Sequence, residues 1–164
     1  MNVLVCAACG RPLTEPVRLL PGLPGRPAYD GLPNPDGSRH APPTVPRGTD
    51  AVDPRPSGAP YVEDPDPLAE RDHSVDTHLP AENGFPMISA GSRDTLVVNP
   101  EDTYGRVTYN PASGDHCCCG LGGKDGPNQL CAGCGAVVAT QFSECYGPFE
   151  THFLPDAVRV EAAP

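Results

Sequence analysis

Tryptophan is absent from this chain, isoleucine and lysine each occur once, and only 5% of the residues are aromatic. Leu, Ile, Val and Phe together supply 31 of the 164 residues, little material for a core. With a net charge of −10, that composition lies near the border of disorder. No apolar run approaches the roughly 20 residues that cross a bilayer, so no membrane span is expected. Basic residues are outnumbered 21 to 11 by acidic ones. That weighs against nucleic acid, which is bound through Lys and Arg displacing counterions from phosphate. No segment carries an apolar stripe at helical spacing, which argues against a helical bundle. Hydrolase signatures of the Gly-x-Ser-x-Gly and His-Glu-x-x-His types are missing as well. Gly120-Leu121-Gly122-Gly123-Lys124 is rich in glycine but lacks the spacing of a phosphate-binding loop, and Asp125 after it would repel phosphate.

What the chain does have is 23 prolines, 18 glycines and eight cysteines. Met1–Val5 offers neither a basic n-region nor an apolar h-region, so a cytoplasmic protein with reduced thiols is expected. In that setting cysteine patterns bind metal more often than they form disulfides. Four of the eight fall into two matching stretches, Val5-Cys6-Ala7-Ala8-Cys9-Gly10 and Leu130-Cys131-Ala132-Gly133-Cys134-Gly135. In each, two small residues separate the thiols and a glycine follows, where a positive φ costs little. One such knuckle aims two sulfurs at a common point. Two knuckles supply the four thiolates of a tetrahedral structural site, so Cys6, Cys9, Cys131 and Cys134 are the predicted ligands of one Zn2+. The 121 residues between Cys9 and Cys131 do not forbid this. The length-dependent part of closing such a loop is about 4 kcal/mol, against roughly 10–16 kcal/mol for structural zinc.

The remaining thiols, Cys117, Cys118, Cys119 and Cys145, admit three readings. They are small packing residues beside the knuckles, a redox or metal-handling group, or ligands of a second ion. If residues 117–119 are extended, Cys117 and Cys119 face one way and Cys118 the other. The second-ion set is then Cys117, Cys119, Cys145 and His116. A catalytic zinc would need such a second, open site, because four thiolates leave no position for water. His73 and His78, near Asp72 and Asp76, read as a solvated polar loop.

The expected fold is mostly β, small and rich in loops, with antiparallel strands and hairpins around the four-cysteine site. Residues 1–20 and 85–164 are expected to form a single zinc-stapled β domain, with 21–84 as an acidic, irregular insert. Fourteen of the 64 insert residues are proline, and acidic residues there outnumber basic ones 11 to 5. Extended or polyproline-like chain is expected, with one helical turn at 68–73. A hairpin around the first knuckle is expected over 3–20, and another where Pro86–Ala90 and Asp94–Val98 flank Gly91-Ser92-Arg93. Further strands are expected at Arg106–Tyr109, Ala136–Thr140, Phe149–Leu154 and Ala157–Val160.

The two Cys-x-x-Cys-Gly stretches resemble the paired knuckles of zinc ribbons, and also rubredoxins, which hold iron by the same device. The likeness covers about a tenth of the chain, and zinc ribbons usually separate their knuckles by only roughly 15–20 residues. The run Cys118-Cys119-Gly120, Asp125–Asn128, Cys131, Cys134-Gly135 and Val138–Thr140 resembles small cysteine-rich actinobacterial proteins of uncharacterised activity. The first resemblance implies a metal site and the second a bacterial source and no mechanism. Because four thiolates close the metal's shell, the expected role is an accessory or interaction module whose acidic, proline-rich surface meets a protein partner, more readily than an enzyme.

Overall fold

A computed structural model describes residues 1–69, 86–115 and 117–164. The fold is mostly β. Its strands are β1 (Asn2–Cys6), β2 (Arg18–Leu19), β3 (Thr49–Asp53), β4 (Tyr61–Glu63), β5 (Met87–Ser89) and β6 (Thr95–Val98). They continue with β7 (Val107–Tyr109), β8 (Gln129–Cys131), β9 (Val137–Phe142), β10 (Glu150–Phe153) and β11 (Val158–Ala162). Among the described residues, helix is confined to 3-10 turns at Pro100–Thr103, Pro111–Ser113 and Pro155–Ala157. None of these is long and apolar enough to cross a membrane.

Seven strands form one mixed sheet in the order β2-β3-β6-β10-β9-β8-β7. Only β2 and β3 run parallel; the other pairs are antiparallel. Strand β10 lies at the middle of that order, and all four of its residues are buried. Both faces of the sheet are covered, and Val97 and Val98 show it: neighbours on β6, they point to opposite faces and enter different clusters. Val98 joins Leu4, Cys6, Leu13, Cys131, Phe153 and Val158. Val97 joins Val45 and Ala51, with Leu20 and Leu23 packed against them. The first cluster is closed by a ribbon made from the two ends of the chain, in which β1 pairs antiparallel with β11 from Asn2↔Ala162 to Cys6↔Val158.

Several expected hairpins give way to longer-range pairings. β1 meets residues 12–17 only through single bridges, Val5↔Pro12 and Asn2↔Val17. Prolines 12 and 16 interrupt the donor row there, and β11 offers an unbroken partner. The hairpin expected over 86–98 does not form. β5 pairs with β4, and β6 pairs with β3 and β10. Gly91, between them, lies against the backbone of residues 57–59, where an added Cβ would stand 2.6 Å from the Gly58 carbonyl oxygen. Strands β7, β9, β10 and β11 lie where the apolar runs placed them.

The proline-rich stretch holds more regular structure than its composition suggests. β3 and β4 lie within it, and β3 is an internal strand of the main sheet. The Asp53 carboxylate, 2% exposed, would be costly there without partners. Arg55 Nε supplies a contact at 2.9 Å, and Arg26 Nη2 lies at 3.9 Å. His73, His78 and most of the helical turn expected at 68–73 lie outside the described residues.

Candidate metal centre

The two knuckles have one backbone design. In the first, Gly10 N–H donates to Cys6 O at 2.8 Å and Cys6 N–H to Arg11 O at 2.9 Å. In the second, Gly135 N–H donates to Cys131 O at 2.8 Å and Cys131 N–H to Ala136 O at 2.8 Å. The closing glycines have φ of +74° and +75°, a conformation that penalises any Cβ. Each turn is anchored outside itself. Ala7 donates to Ala157 O at 2.9 Å and receives Arg159 Nη1 on its own carbonyl at 2.8 Å. Ala132 donates to Arg106 O at 3.0 Å. The knuckles also touch each other: a Cβ at Gly133 would come within 2.7 Å of Arg11 Cδ.

This arrangement gathers Cys6, Cys9, Cys131 and Cys134 so that all four sulfurs lie within 4.8 Å of one another, and the group can hold a metal ion. Cys6 Sγ stands 3.7 Å from Cys134 Sγ, and Cys9 Sγ stands 3.7 Å from Cys131 Sγ. Four sulfurs about 2.3 Å from a central ion form a tetrahedron with edges of about 3.8 Å. A disulfide needs about 2.05 Å, and all eight cysteines are free. Cys6 and Cys131 are buried in the larger apolar cluster, while Cys9 and Cys134 are exposed.

Four thiols so close cannot all ionise unaided. Burial opposes the Cys131 thiolate, but N–H groups of Cys134 and Gly133 and the neighbouring thiols outweigh it and lower its pKa to about 7. The Ala136 N–H favours the Cys134 thiolate, but the thiols of Cys9, Cys6 and Cys131, together with burial, push it up to about 12. A cation at the centre removes that conflict, since it binds each sulfur as thiolate and releases the protons.

A second group comprises Cys118, Cys119 and Cys145, whose sulfurs also lie within 4.8 Å of one another and can hold an ion. This corrects the set Cys117, Cys119, Cys145 and His116. The chain bends at 118–120 instead of running extended, so adjacent thiols share a side. Cys117 turns away toward Glu144 and Asp115; burial first, then those carboxylates, push its thiol up to about 12. His116 lies outside the described residues. Burial opposes the Cys119 thiolate, but contacts from Cys145 and Cys118 outweigh it and lower its pKa.

A third polar group had no signal in the sequence beyond its scattered residues. Glu150, fully buried on β10, accepts from Arg26 Nε at 2.8 Å, Arg26 Nη2 at 3.1 Å and Thr44 Oγ1 at 2.6 Å. His152 Nε2 donates to Glu150 Oε2 at 2.7 Å, and its Nδ1 stands 2.9 Å from Thr95 Oγ1. Burial works against the Glu150 carboxylate, but His152 and Arg26 hold it well below the usual range. Threonine, histidine and glutamate follow one another as in a nucleophile relay, yet Thr95 and His152 are each 1% exposed, so no substrate reaches them. The network ties residues 26 and 44 to the sheet. His40, in the same stretch, stacks on Phe149 at 3.8 Å instead of joining a cysteine group.

Comparison of the chain with known protein families, with curated proteins and with solved structures finds no match in any of the three.

Proposed function

We propose that Cys6, Cys9, Cys131 and Cys134 hold one structural zinc ion, and that the folded body serves as an accessory or interaction module for a protein partner. The observation that carries the metal reading is the pair of 3.7 Å sulfur separations, which match the edge of a zinc–thiolate tetrahedron. The twin knuckles, with their glycines at φ +74° and +75°, support it and are similar to those of zinc ribbons. Zinc is favoured over iron because nothing else in the chain suggests electron transfer. Four thiolates fill the coordination shell, so an ion there braces the fold and does not activate water. Eight free thiols accord with a reducing, cytoplasmic setting. The exposed part of the acidic, proline-rich stretch from residue 21, which includes Asp30, Asp36, Glu63 and Asp66, is the surface offered to a partner, and these carboxylates favour one with a basic face.

Elemental analysis of the purified chain combined with native mass spectrometry tests the metal reading. One zinc per chain is expected, lost when Cys9 or Cys134 is replaced by serine. A chain without metal, or one carrying iron, would overturn it.

A further inference from the structure

The second thiol group differs from the first in ligand number and access. Cys145 is buried, Cys119 half-buried and Cys118 exposed, so one side opens to solvent. The sulfur of Cys118 lies 3.3 Å from that of Cys119 and 4.0 Å from that of Cys145. Three sulfurs bound at about 2.3 Å and coplanar with their ion stand about 4 Å apart, so modest adjustment suffices.

The loop is built to present these thiols. Asp115, 2% exposed, accepts from Gly122 N–H at 3.0 Å, Gly123 N–H at 2.7 Å and Asn128 Nδ2 at 2.7 Å. Leu121 N–H donates to Ser143 Oγ at 3.0 Å, and Ser143 N–H returns to Leu121 O at 2.8 Å. Gly120 is required at this crossing, since a Cβ there would lie 2.6 Å from the Ser143 carbonyl carbon. Residues 118–119 are thereby pinned against Cys145, whose N–H donates to Cys119 Sγ at 3.2 Å.

We propose that Cys118, Cys119 and Cys145 form a second metal site, distinct from the four-cysteine centre, that takes a single monovalent copper ion. Thiolates select soft ions: Cu(I), zinc or iron–sulfur clusters. Three ligands leave zinc without the closed shell of a structural site, its fourth position left to water, and most iron–sulfur clusters take four cysteines. Cu(I) is satisfied by three sulfurs in a plane. Binding replaces thiol protons, released to solvent, with S–Cu bonds. Copper enters and stays as Cu(I), so no electron moves.

The test uses the full chain, reduced and loaded with zinc, under anaerobic conditions. One equivalent of Cu(I) is added with a competing Cu(I) chelator, while a zinc-sensitive dye reports release. The expected result is one copper retained per chain with zinc still bound. C118S/C145S should weaken retention by more than about tenfold, whereas C117S, which alters a thiol outside the group, should leave it unchanged. X-ray absorption on the wild-type chain should count three sulfur neighbours around copper, a readout independent of how any variant folds. The proposal fails if the first equivalent of copper expels zinc, or if C118S/C145S retains copper as well as the wild type. It fails equally if copper has two or four sulfur neighbours, or if the group takes a second zinc in preference to copper.

Discussion

Cys9 is the position at which the metal's contribution separates most cleanly from packing. Its side chain is exposed and has no place in the apolar cluster that includes Cys6 and Cys131. Cys9→Ser should therefore change the metal-free chain by no more than about 0.5 kcal/mol, as surface substitutions do. With zinc the outcome differs. An ion that binds only the folded state adds about 4.1 kcal/mol when its free concentration is about a thousand times Kd. For a chain of this size each kcal/mol moves Tm by roughly 2–4 °C, so zinc should raise the wild-type Tm by about 8–16 °C. C9S leaves three thiolates and should forfeit most of that increment. The assay is thermal unfolding of both proteins, once in excess zinc and once in excess chelator, followed by circular dichroism. The curves should separate in zinc and coincide in chelator. If C9S melts with the wild type in zinc, Cys9 is not a ligand. If the two differ as much in chelator as in zinc, the side chain matters for packing and the reasoning is wrong. Cys6→Ser is the contrasting control: Cys6 is fully buried, so stability should fall under both conditions.

Other expectations follow from the polar and glycine positions. Glu150→Gln takes from the Arg26 guanidinium, whose side chain is 9% exposed, its nearer carboxylate at 2.8 Å and leaves Asp53 at 3.9 Å, and should cost about 3 kcal/mol in urea unfolding at pH 7. Because the Glu150 pKa is held below its unfolded value, this advantage is complete above the unfolded pKa and lost as pH falls through the folded one; the gap between wild type and variant should begin to narrow below about pH 4 and keep shrinking as the pH is lowered further. Gly123→Ala combines a φ of +71° with a Cβ 2.6 Å from Phe142 Cδ1, and should lower stability by about 2 kcal/mol or more, read from the urea midpoint. Asp115→Ala removes the acceptor for two backbone N–H groups and Asn128, and should cost about 2–3 kcal/mol while leaving the zinc count at the four-cysteine centre unchanged by elemental analysis.

The four-cysteine centre was legible because a knuckle is a local object. Cys6-Ala7-Ala8-Cys9-Gly10 and Cys131-Ala132-Gly133-Cys134-Gly135 each encode a turn within a few residues, and chemistry supplies the reason for them to meet. Strands β9, β10 and β11 were legible for a similar reason, as runs of β-branched and aromatic residues. What stayed hidden was pairing at a distance. Nothing in Asn2–Cys6 names Val158–Ala162 as its partner. Strand β3 was obscured by Pro46 and Pro54 on either side and by Asp50 and Asp53 within it. Asp53 is tolerable because Arg55, two residues on, pairs with it and Arg26 approaches it from farther along the chain. The choice of Cys118 over Cys117 turned on whether three residues run straight or bend. That is settled by Gly120 pressing on Ser143, a contact 23 residues away in sequence.

The place of the four-cysteine group also says what kind of staple a bound ion would make. Cys6 ends β1, Cys131 ends β8, and both sulfurs border the apolar cluster that seats the terminal ribbon on the sheet. The centre thus continues a core that the composition leaves small, at the seam where the chain's two ends meet the rest. Leu4, Leu13 and Val158 bury apolar surface at the same seam, each contributing roughly 1.5–3 kcal/mol on full burial. On the opposite face, Arg26, Thr44, Glu150 and His152 join the proline-rich stretch to β10 without any cysteine. With an ion in place as proposed, the sheet would be held by two unlike devices, thiolates at one seam and a buried carboxylate at the other. Loss of an ion held there, as proposed, would act first on the seam that Cys6 and Cys131 share, and the carboxylate network would retain its contacts.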